Sequence, residues 1–127
     1  MNLVLYVALG GAIGALARYW AVLFFAEHWL SKYHFATLFV NTLGSFIMLF
    51  FMTLFMYKFS FPLSVRLFIA TGFLGAFTTF STFSYETIHL FENGEISQAF
   101  LNIFLNNFFA IGAGVGGYYL AKMMTNV

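Results

Sequence analysis

The chain contains four long apolar stretches that are separated by short polar segments. The stretches cover residues 3–25, 35–57, 67–90 and 96–121, and they contain only two charged side chains, Arg18 and Glu86. About 20 predominantly apolar residues cross the ~30 Å hydrocarbon core of a bilayer as a helix, so each stretch is long enough to span it. The pattern predicts an all-α membrane protein.

We expect one transmembrane domain over residues 1–127, with helices at about 3–25, 35–57, 65–90 and 96–121. Of the 127 residues, 62% are hydrophobic and 7% are charged, whereas soluble domains contain about 25% charged residues. The residues outside the helices are too few for a catalytic or nucleotide-binding domain. We therefore expect the protein to act inside the bilayer and to have no enzymatic activity.

Charge and cysteine content exclude two further classes. A net charge of +1 offers no basic surface for nucleic acid, and a chain without cysteine forms no disulfide. The run Ala15-Leu16-Ala17 is similar to a signal-peptide cleavage site. Because no positively charged segment precedes the first helix, we expect that helix to be retained.

Positive charges are distributed almost evenly between the two sides of the predicted helices. Lys58, Arg66 and Lys122 lie on the side of both termini, against Lys32 and Arg18 on the other, a count of three to two. The positive-inside rule uses such charges to assign orientation. With so small a bias, two hypotheses stay open: a single orientation, or insertion in both orientations with formation of an antiparallel dimer.

Two pairs of glycines have the spacing of close helix contacts. Gly10 and Gly14 lie one helical turn apart on the first helix, and Gly112 and Gly116 do so on the fourth. Small residues at this spacing let helix backbones approach each other in lipid. The pairs predict tight packing, either within the chain or between subunits.

Polar side chains form stripes on the second and fourth predicted helices. Thr37, Asn41 and Ser45 are spaced by four residues, as are Asn102 and Asn106. Polar groups in hydrocarbon need a partner or water, so such residues face another helix or a polar route. The stripes predict either interhelical hydrogen bonds or a polar pathway.

The third helix has an unusual middle. Residues 71–86 read TGFLGAFTTFSTFSYE, and two glycines followed by β-branched and hydroxyl residues make a poor continuous helix. We expect a break at mid-membrane, near residues 75–79. Backbone carbonyls freed there are oxygen ligands for a hard cation.

Phe80 and Phe83 follow the expected break on one helix face, flanked by the hydroxyls of Ser81, Thr82 and Ser84. The edge of a phenyl ring is electropositive, so ring edges together with hydroxyl donors can attract an anion. A stripe of phenylalanines can equally pack against lipid. Both interpretations stay open on these residues alone.

Three segments together resemble a known family. Residues 72–75 (GFLG) and 78–84 (TTFSTFS) resemble the signature of the Fluc/CrcB family of fluoride channels. Residues 10–15 (GGAIGA) with Arg18, and residues 37–41 (TLFVN), resemble the family in the same order and spacing. The motif on the third helix is the most specific of the three.

The resemblance implies a fluoride-selective channel that exports fluoride passively across the inner (plasma) membrane and reduces its toxicity. It implies an antiparallel dual-topology dimer of four-helix subunits with two fluoride pathways. It also implies a structural sodium ion at the dimer centre, bound by the backbone carbonyls of Gly75 and Thr78.

The same resemblance assigns roles to side chains. Phe80 and Phe83 would line the pores with their ring edges toward fluoride, and Asn41 would donate its amide hydrogens to the anion. Glu86 matches the acid that ends the motif. The other positions assigned to the fluoride pathway are polar or cationic: Ser81, Thr82, Asn102, Asn106 and Arg18.

The fourth helix departs from the family. A ladder of polar side chains borders the pathway there, whereas this chain continues from Asn102 and Asn106 to Ala110 and Gly114. We expect a conducting homodimer. The alternatives are a non-conducting subunit of a heterodimer with a paralogous chain, and a proton-coupled exporter of the small-multidrug type, which would need Glu86 as its proton carrier.

Overall fold

A computed structural model describes residues 2–28 and 34–126 of the chain. Within these residues every regular element is helical: α1 (Leu3–His28), α2 (Phe35–Tyr57), α3 (residues 63–77), α4 (Phe80–Glu92) and α5 (Ile96–Thr125). Four segments are long and apolar enough to cross a membrane, namely Leu3–His28, Phe35–Tyr57, Leu63–Glu92 and Ile96–Thr125. This confirms the prediction of an all-helical chain with four candidate membrane spans.

Lys58 and Lys122, two of the positive charges assigned to the side of the termini, lie at the same end of the bundle. Lys58 Nζ donates to the backbone oxygen of Met124 at 2.9 Å, and the Lys122 ammonium lies 4.2 Å from the ring centroid of Tyr57. The loop after α2 and the end of α5 therefore meet at one end of the bundle. Lys32, which was expected on the opposite side together with Arg18, lies outside the described residues.

The helix α3 changes its winding along its length. It is α-helical at Leu63–Arg66, π-helical at Leu67–Leu74 and α-helical again at Gly75–Phe77. Stretches of π-helix are rare and frequently lie at functional sites. The sequence analysis did not predict this stretch.

Glycines bring α1 and α3 into backbone contact. A Cβ at Gly10 would overlap the carbonyl of Phe68, and a Cβ at Gly14 would overlap the carbonyl of Phe73. From the other side, a Cβ at Gly72 would lie 2.7 Å from the carbonyl oxygen of Val7. The predicted packing role of Gly10 and Gly14 is confirmed within the chain.

The second glycine pair does not pack within the part of the chain that the structure describes. A Cβ at Gly112 or Gly116 would meet no atom within 4 Å. Instead, α5 approaches α2 through Gly117, where a Cβ would overlap the carbonyl oxygen of Phe46. Contacts of Gly112 and Gly116 with another subunit stay a prediction.

Two extended residues separate α3 from α4. Thr78 has φ −82° and ψ 155°, and Thr79 has φ −153° and ψ 111°. Thr79 is the N-cap of α4, because its side-chain oxygen accepts a hydrogen bond from the backbone N–H of Thr82. The chain thus leaves one helix and starts another at residues 78–79, and the backbone groups there need partners from elsewhere.

Candidate ion pathway

Asn41 on α2 bonds to the backbone at the interruption between α3 and α4. Its Oδ1 accepts from the Thr79 N–H at 2.8 Å, and its Nδ2 donates to the Thr79 carbonyl oxygen at 3.1 Å. Thr79 is buried, so these two backbone groups need hydrogen-bond partners. The Thr79 N–H also determines which amide atom of Asn41 is the acceptor.

Hydrogen bonds join Asn41 to Asn106 and Asn102 of α5, and we call these three residues the asparagine ladder. Asn41 Nδ2 donates to Asn106 Oδ1 at 3.2 Å, and Asn106 Nδ2 donates to Asn102 Oδ1 at 3.0 Å. Asn102 Nδ2 in turn donates to Thr87 Oγ1 on α4 at 3.1 Å. The polar stripes of α2 and α5 are therefore joined by interhelical hydrogen bonds, one of the two interpretations that the sequence left open.

The predicted aromatic pair comes together on α4. The rings of Phe80 and Phe83 are edge to face, with centroids 5.3 Å apart. Phe80 is 75% exposed, whereas Phe83 is 7% exposed. A cavity of about 210 Å³, the aromatic cavity below, has both rings in its wall together with Asn41, Ser45, Thr78, Thr79, Asn106, Asn107, Ala110 and Ile111.

A second cavity also has Thr79 in its wall. This cavity, of about 340 Å³, is the arginine cavity below, and it is lined by Ala15, Arg18, Tyr19, Val22, Thr37, Val40, Thr79 and Thr82. No acid of the described ranges forms a salt bridge with Arg18. The guanidinium therefore gives this cavity a positive wall that favours anions.

Thr79 is the central residue that sequence reasoning missed. It lines both cavities, and its Oγ1 lies 3.2 Å from Ser81 Oγ and donates to Thr82 Oγ1 at 3.0 Å. The signal that could have identified it is its position as a threonine directly before a helix, where N-caps are preferred.

Glu86 contacts the start of α2. Thr37 Oγ1 donates to Glu86 Oε1 at 2.6 Å, and His34 Nδ1 lies 3.5 Å from the same oxygen. The second carboxylate oxygen, Oε2, is buried and has no hydrogen-bond partner among the described residues. The sequence analysis named Glu86 as the acid ending the motif, but it did not identify His34.

The backbone carbonyls assigned to sodium are released from helical hydrogen bonding. In a continuous α-helix the Thr79 N–H would donate to the Gly75 carbonyl, and the Thr82 N–H to the Thr78 carbonyl. Here the Thr79 N–H donates to Asn41 and the Thr82 N–H donates to Thr79 Oγ1 at 3.2 Å. The oxygens of Gly75 and Thr78 thus fit the role of ligands to a hard cation.

Comparison with known proteins identifies the family. The family described as CrcB-like protein, Camphor Resistance (CrcB), matches residues 5–118. The chain belongs to the CrcB family. A Legionella pneumophila (strain Lens) protein named Fluoride-specific ion channel FluC is 43% identical over 118 residues, which cover 93% of this chain and 88% of the relative.

Two further relatives carry the same name. The protein from Sulfurihydrogenibium sp. (strain YO3AOP1) is 40% identical over 124 residues, covering 98% of this chain and 100% of the relative. The protein from Shewanella halifaxensis (strain HAW-EB4) is 42% identical over 124 residues, covering 98% and 96%. The similarity to these CrcB relatives therefore extends over nearly the whole chain.

The two residues that depart from the expected CrcB ladder lie beside an apolar cavity. Ala110 and Gly114 line a space of about 470 Å³ together with Ser45 and Leu49 of α2. A Cβ at Gly114 would come within 3.3 Å of Leu49 Cδ2. Residues 110–117, which follow the asparagine ladder along α5, thus offer no side-chain hydrogen-bond donor.

Proposed function

We propose that this CrcB protein is a fluoride-selective channel through which fluoride leaves the cell passively, without a chemical step. The observation that carries the proposal is that relatives named Fluoride-specific ion channel FluC match 93% and 98% of the chain at 43% and 40% identity. These relatives do not favour a proton-coupled exporter. The chain is a multi-pass membrane protein, and in a bacterium it would lie in the inner membrane.

The pathway comprises the aromatic cavity and the arginine cavity, with Asn41 and Thr79 between them. Arg18 attracts the anion on one side, and the electropositive edges of Phe80 and Phe83 contact it on the other. Asn41 supplies amide hydrogens, and Asn106 and Thr82 line the two cavities. Asn102 and Ser81 adjoin the pathway through their hydrogen bonds with Asn106 and Thr79. Selectivity follows from confinement and from the number of donors along a narrow route.

The interruption at residues 78–79 lies at mid-membrane in this proposal, where irregular backbone is tolerated only against protein, water or an ion. Gly75 and Thr78 would hold a sodium ion through their carbonyl oxygens. When bound, the ion would supply positive charge that stabilises the partial negative charges of these carbonyl oxygens. The support is that the helical donors to both carbonyls bond elsewhere.

The functional unit is a homodimer of antiparallel copies. The even distribution of Lys and Arg supports insertion in both orientations, and Phe80, at 75% exposure, needs a covering partner if it lines a pore. A heterodimer with a paralogous subunit is the alternative, since Ala110 and Gly114 leave part of the pathway without side-chain donors. Membrane lipid surrounds the remaining apolar faces.

The test is anion efflux from liposomes that contain the purified protein, recorded with fluoride and chloride electrodes. We expect fluoride efflux without chloride efflux, and its suppression by Phe80→Ile or Asn41→Asp. Phe100→Ile is the matched control, because Phe100 is 62% exposed and its ring lies edge to face with that of Phe91, with centroids 5.5 Å apart. Phe100 lines neither the aromatic cavity nor the arginine cavity. Equal chloride efflux would contradict the selectivity, and no fluoride efflux would contradict the function.

A further inference from the structure

Three cationic side chains from different parts of the chain meet around the end of α2. Lys58 directly follows α2, and its Nζ donates at 2.9 Å to a backbone oxygen in the last turn of α5. From α5, the Lys122 ammonium lies 4.2 Å from the ring centroid of Tyr57. From α3, Arg66 Nη2 donates to the backbone oxygen of Phe55 at 3.4 Å. We call Lys58, Arg66 and Lys122 the basic patch.

The acidic side chains all lie away from the basic patch. The four acids of the chain are glutamates at the opposite end of the bundle, namely Glu27 in the last turn of α1, Glu86 beside the start of α2, Glu92 at the end of α4 and Glu95 before α5. Within the described part of the chain the basic patch accordingly forms no salt bridge. Arg66 Nε is also buried without a hydrogen-bond partner among these residues.

The helix ends beside the basic patch do not neutralise it. A macrodipole places about half a positive charge at a helix start and about half a negative charge at a helix end. The helices α2 and α5 end here, whereas α1 and α3 begin here, because Gly10 and Gly14 of α1 approach Phe68 and Phe73 of α3 in the same order. The four partial charges therefore cancel approximately, and the three positive side chains stay uncompensated.

Tyrosines indicate the depth of the basic patch in the membrane. Tyr57 is 44% exposed, and the ring centroid of Tyr118 lies 5.7 Å from the Lys122 ammonium. Tyrosine is enriched where membrane helices meet the lipid headgroups, and long cationic side chains extend their charges to that level. No residue of the basic patch lines the aromatic cavity or the arginine cavity. The patch is therefore separate from the candidate pathway and lies at the depth of the headgroups.

We propose that the basic patch binds the headgroup of an anionic phospholipid. The lipid phosphate accepts hydrogen bonds from the ammonium groups of Lys58 and Lys122, and the guanidinium of Arg66 adds a third positive charge. Basic side chains directly beside a membrane helix are typical of such recognition. The binding involves no ion conduction, so a failure of the proposed channel function would leave this inference intact. In a dimer of antiparallel copies, one basic patch faces each leaflet.

The test is native mass spectrometry of the protein in a nonionic detergent, titrated with phosphatidylglycerol or with the zwitterionic phosphatidylcholine. A Lys or Arg near an anionic lipid surface strengthens binding about fivefold. The double variant Lys58→Gln with Lys122→Gln should therefore bind phosphatidylglycerol about 25-fold more weakly, with unchanged affinity for phosphatidylcholine. Lys58→Arg with Lys122→Arg keeps both charges and should bind phosphatidylglycerol as the wild type does. Equal affinity of the wild type for the two lipids would overturn the inference.

A matched control separates the basic patch from the overall charge. The double glutamine variant lowers the net charge by two, from +1 to −1. Adding Glu92→Gln and Glu95→Gln at the opposite end restores +1 without restoring the patch. Binding of phosphatidylglycerol should stay weak in this fourfold variant. Its recovery would show that the net charge attracts the lipid, and it would overturn the inference.

Two measurements on the wild type keep the test decisive if the glutamine variants do not fold. Raising the ammonium acetate concentration from about 0.01 to 1 M shortens the Debye length from about 30 to 3 Å, so the affinity for phosphatidylglycerol should fall at least about fivefold while that for phosphatidylcholine stays unchanged. Soluble glycerol phosphate at the lipid concentration should not displace phosphatidylglycerol. Binding that is insensitive to salt would contradict the role of the charges, and displacement would show a site for free phosphate instead of lipid.

Discussion

Replacement of Asn41 by alanine removes the hydrogen-bond partners of Thr79 at the interruption between α3 and α4. Three hydrogen bonds are lost: the one from the Thr79 N–H at 2.8 Å, the one to the Thr79 carbonyl at 3.1 Å and the one to Asn106 at 3.2 Å. A buried polar group left without a partner costs about 1–3 kcal/mol. The two Thr79 groups therefore predict a loss of about 2–6 kcal/mol in the free energy of unfolding.

Part of this loss should be relieved by water, because Thr79 borders two cavities, so we expect a value in the lower half of the range. The bond to Asn106 adds little, since side-chain hydrogen bonds between membrane helices average about 0.6 kcal/mol. The measurement is the equilibrium unfolding of the protein in mixed micelles with increasing dodecyl sulfate, followed by the loss of helical circular dichroism.

Thr42→Val is the matched control on the adjacent residue of the same helix. Thr42 Oγ1 is buried and has no hydrogen-bond partner among the described residues, so the removal of this hydroxyl should be neutral or stabilising. Asn41→Ala should unfold at a clearly lower denaturant concentration than Thr42→Val. If the two variants agree within about 0.5 kcal/mol, the spread typical of neutral surface changes, Asn41 does not stabilise the interruption.

Two other substitutions test packing and conduction. Gly14→Ala should reduce the amount of folded protein, because its Cβ would overlap the Phe73 backbone, whereas Gly112→Ala should be tolerated within one chain because its Cβ meets no atom within 4 Å; size-exclusion yield in detergent compares the two. Ala110→Ser adds a hydroxyl to the wall of the aromatic cavity, and liposome efflux should show faster fluoride transport. An unchanged rate would mean that the missing donor at this position does not limit conduction.

The helices were the part of the fold that the sequence could predict. Apolar stretches that are long enough to span a membrane predict helices directly. The spacing of Gly10 and Gly14 indicated a close contact between helices, because only small residues permit one. The π-helical stretch Leu67–Leu74 could not be predicted, because its winding depends on how the backbone of α3 fits against α1. Such tertiary contacts leave no local pattern.

In the candidate site, contacts within one helix could be predicted from the sequence, whereas contacts between distant parts of the chain could not. Phe80 and Phe83 are three residues apart on a helix, so their ring contact follows from helix geometry. The contact between His34 and Glu86 joins residues far apart in the chain, and no spacing rule connects a residue before α2 with the middle of α4. Thr79 could not be predicted either, because its role depends on backbone hydrogen bonds with Asn41, which lies on another helix.

The hydrogen bonds of Asn41 bear on how a fluoride channel would select its ion. Both donor contacts of its Nδ2 are made with protein oxygens, those of Thr79 and Asn106, so an anion that binds Asn41 must replace one of them. The displaced oxygen loses a partner, which costs free energy at a buried position. A small anion approaches the amide hydrogens more closely than a large one, and Coulomb attraction grows as the distance falls. In the proposed channel fluoride would therefore recover more of that cost from the amide hydrogens than chloride would. The ladder would favour the smaller ion where this gain exceeds the greater cost of dehydrating fluoride.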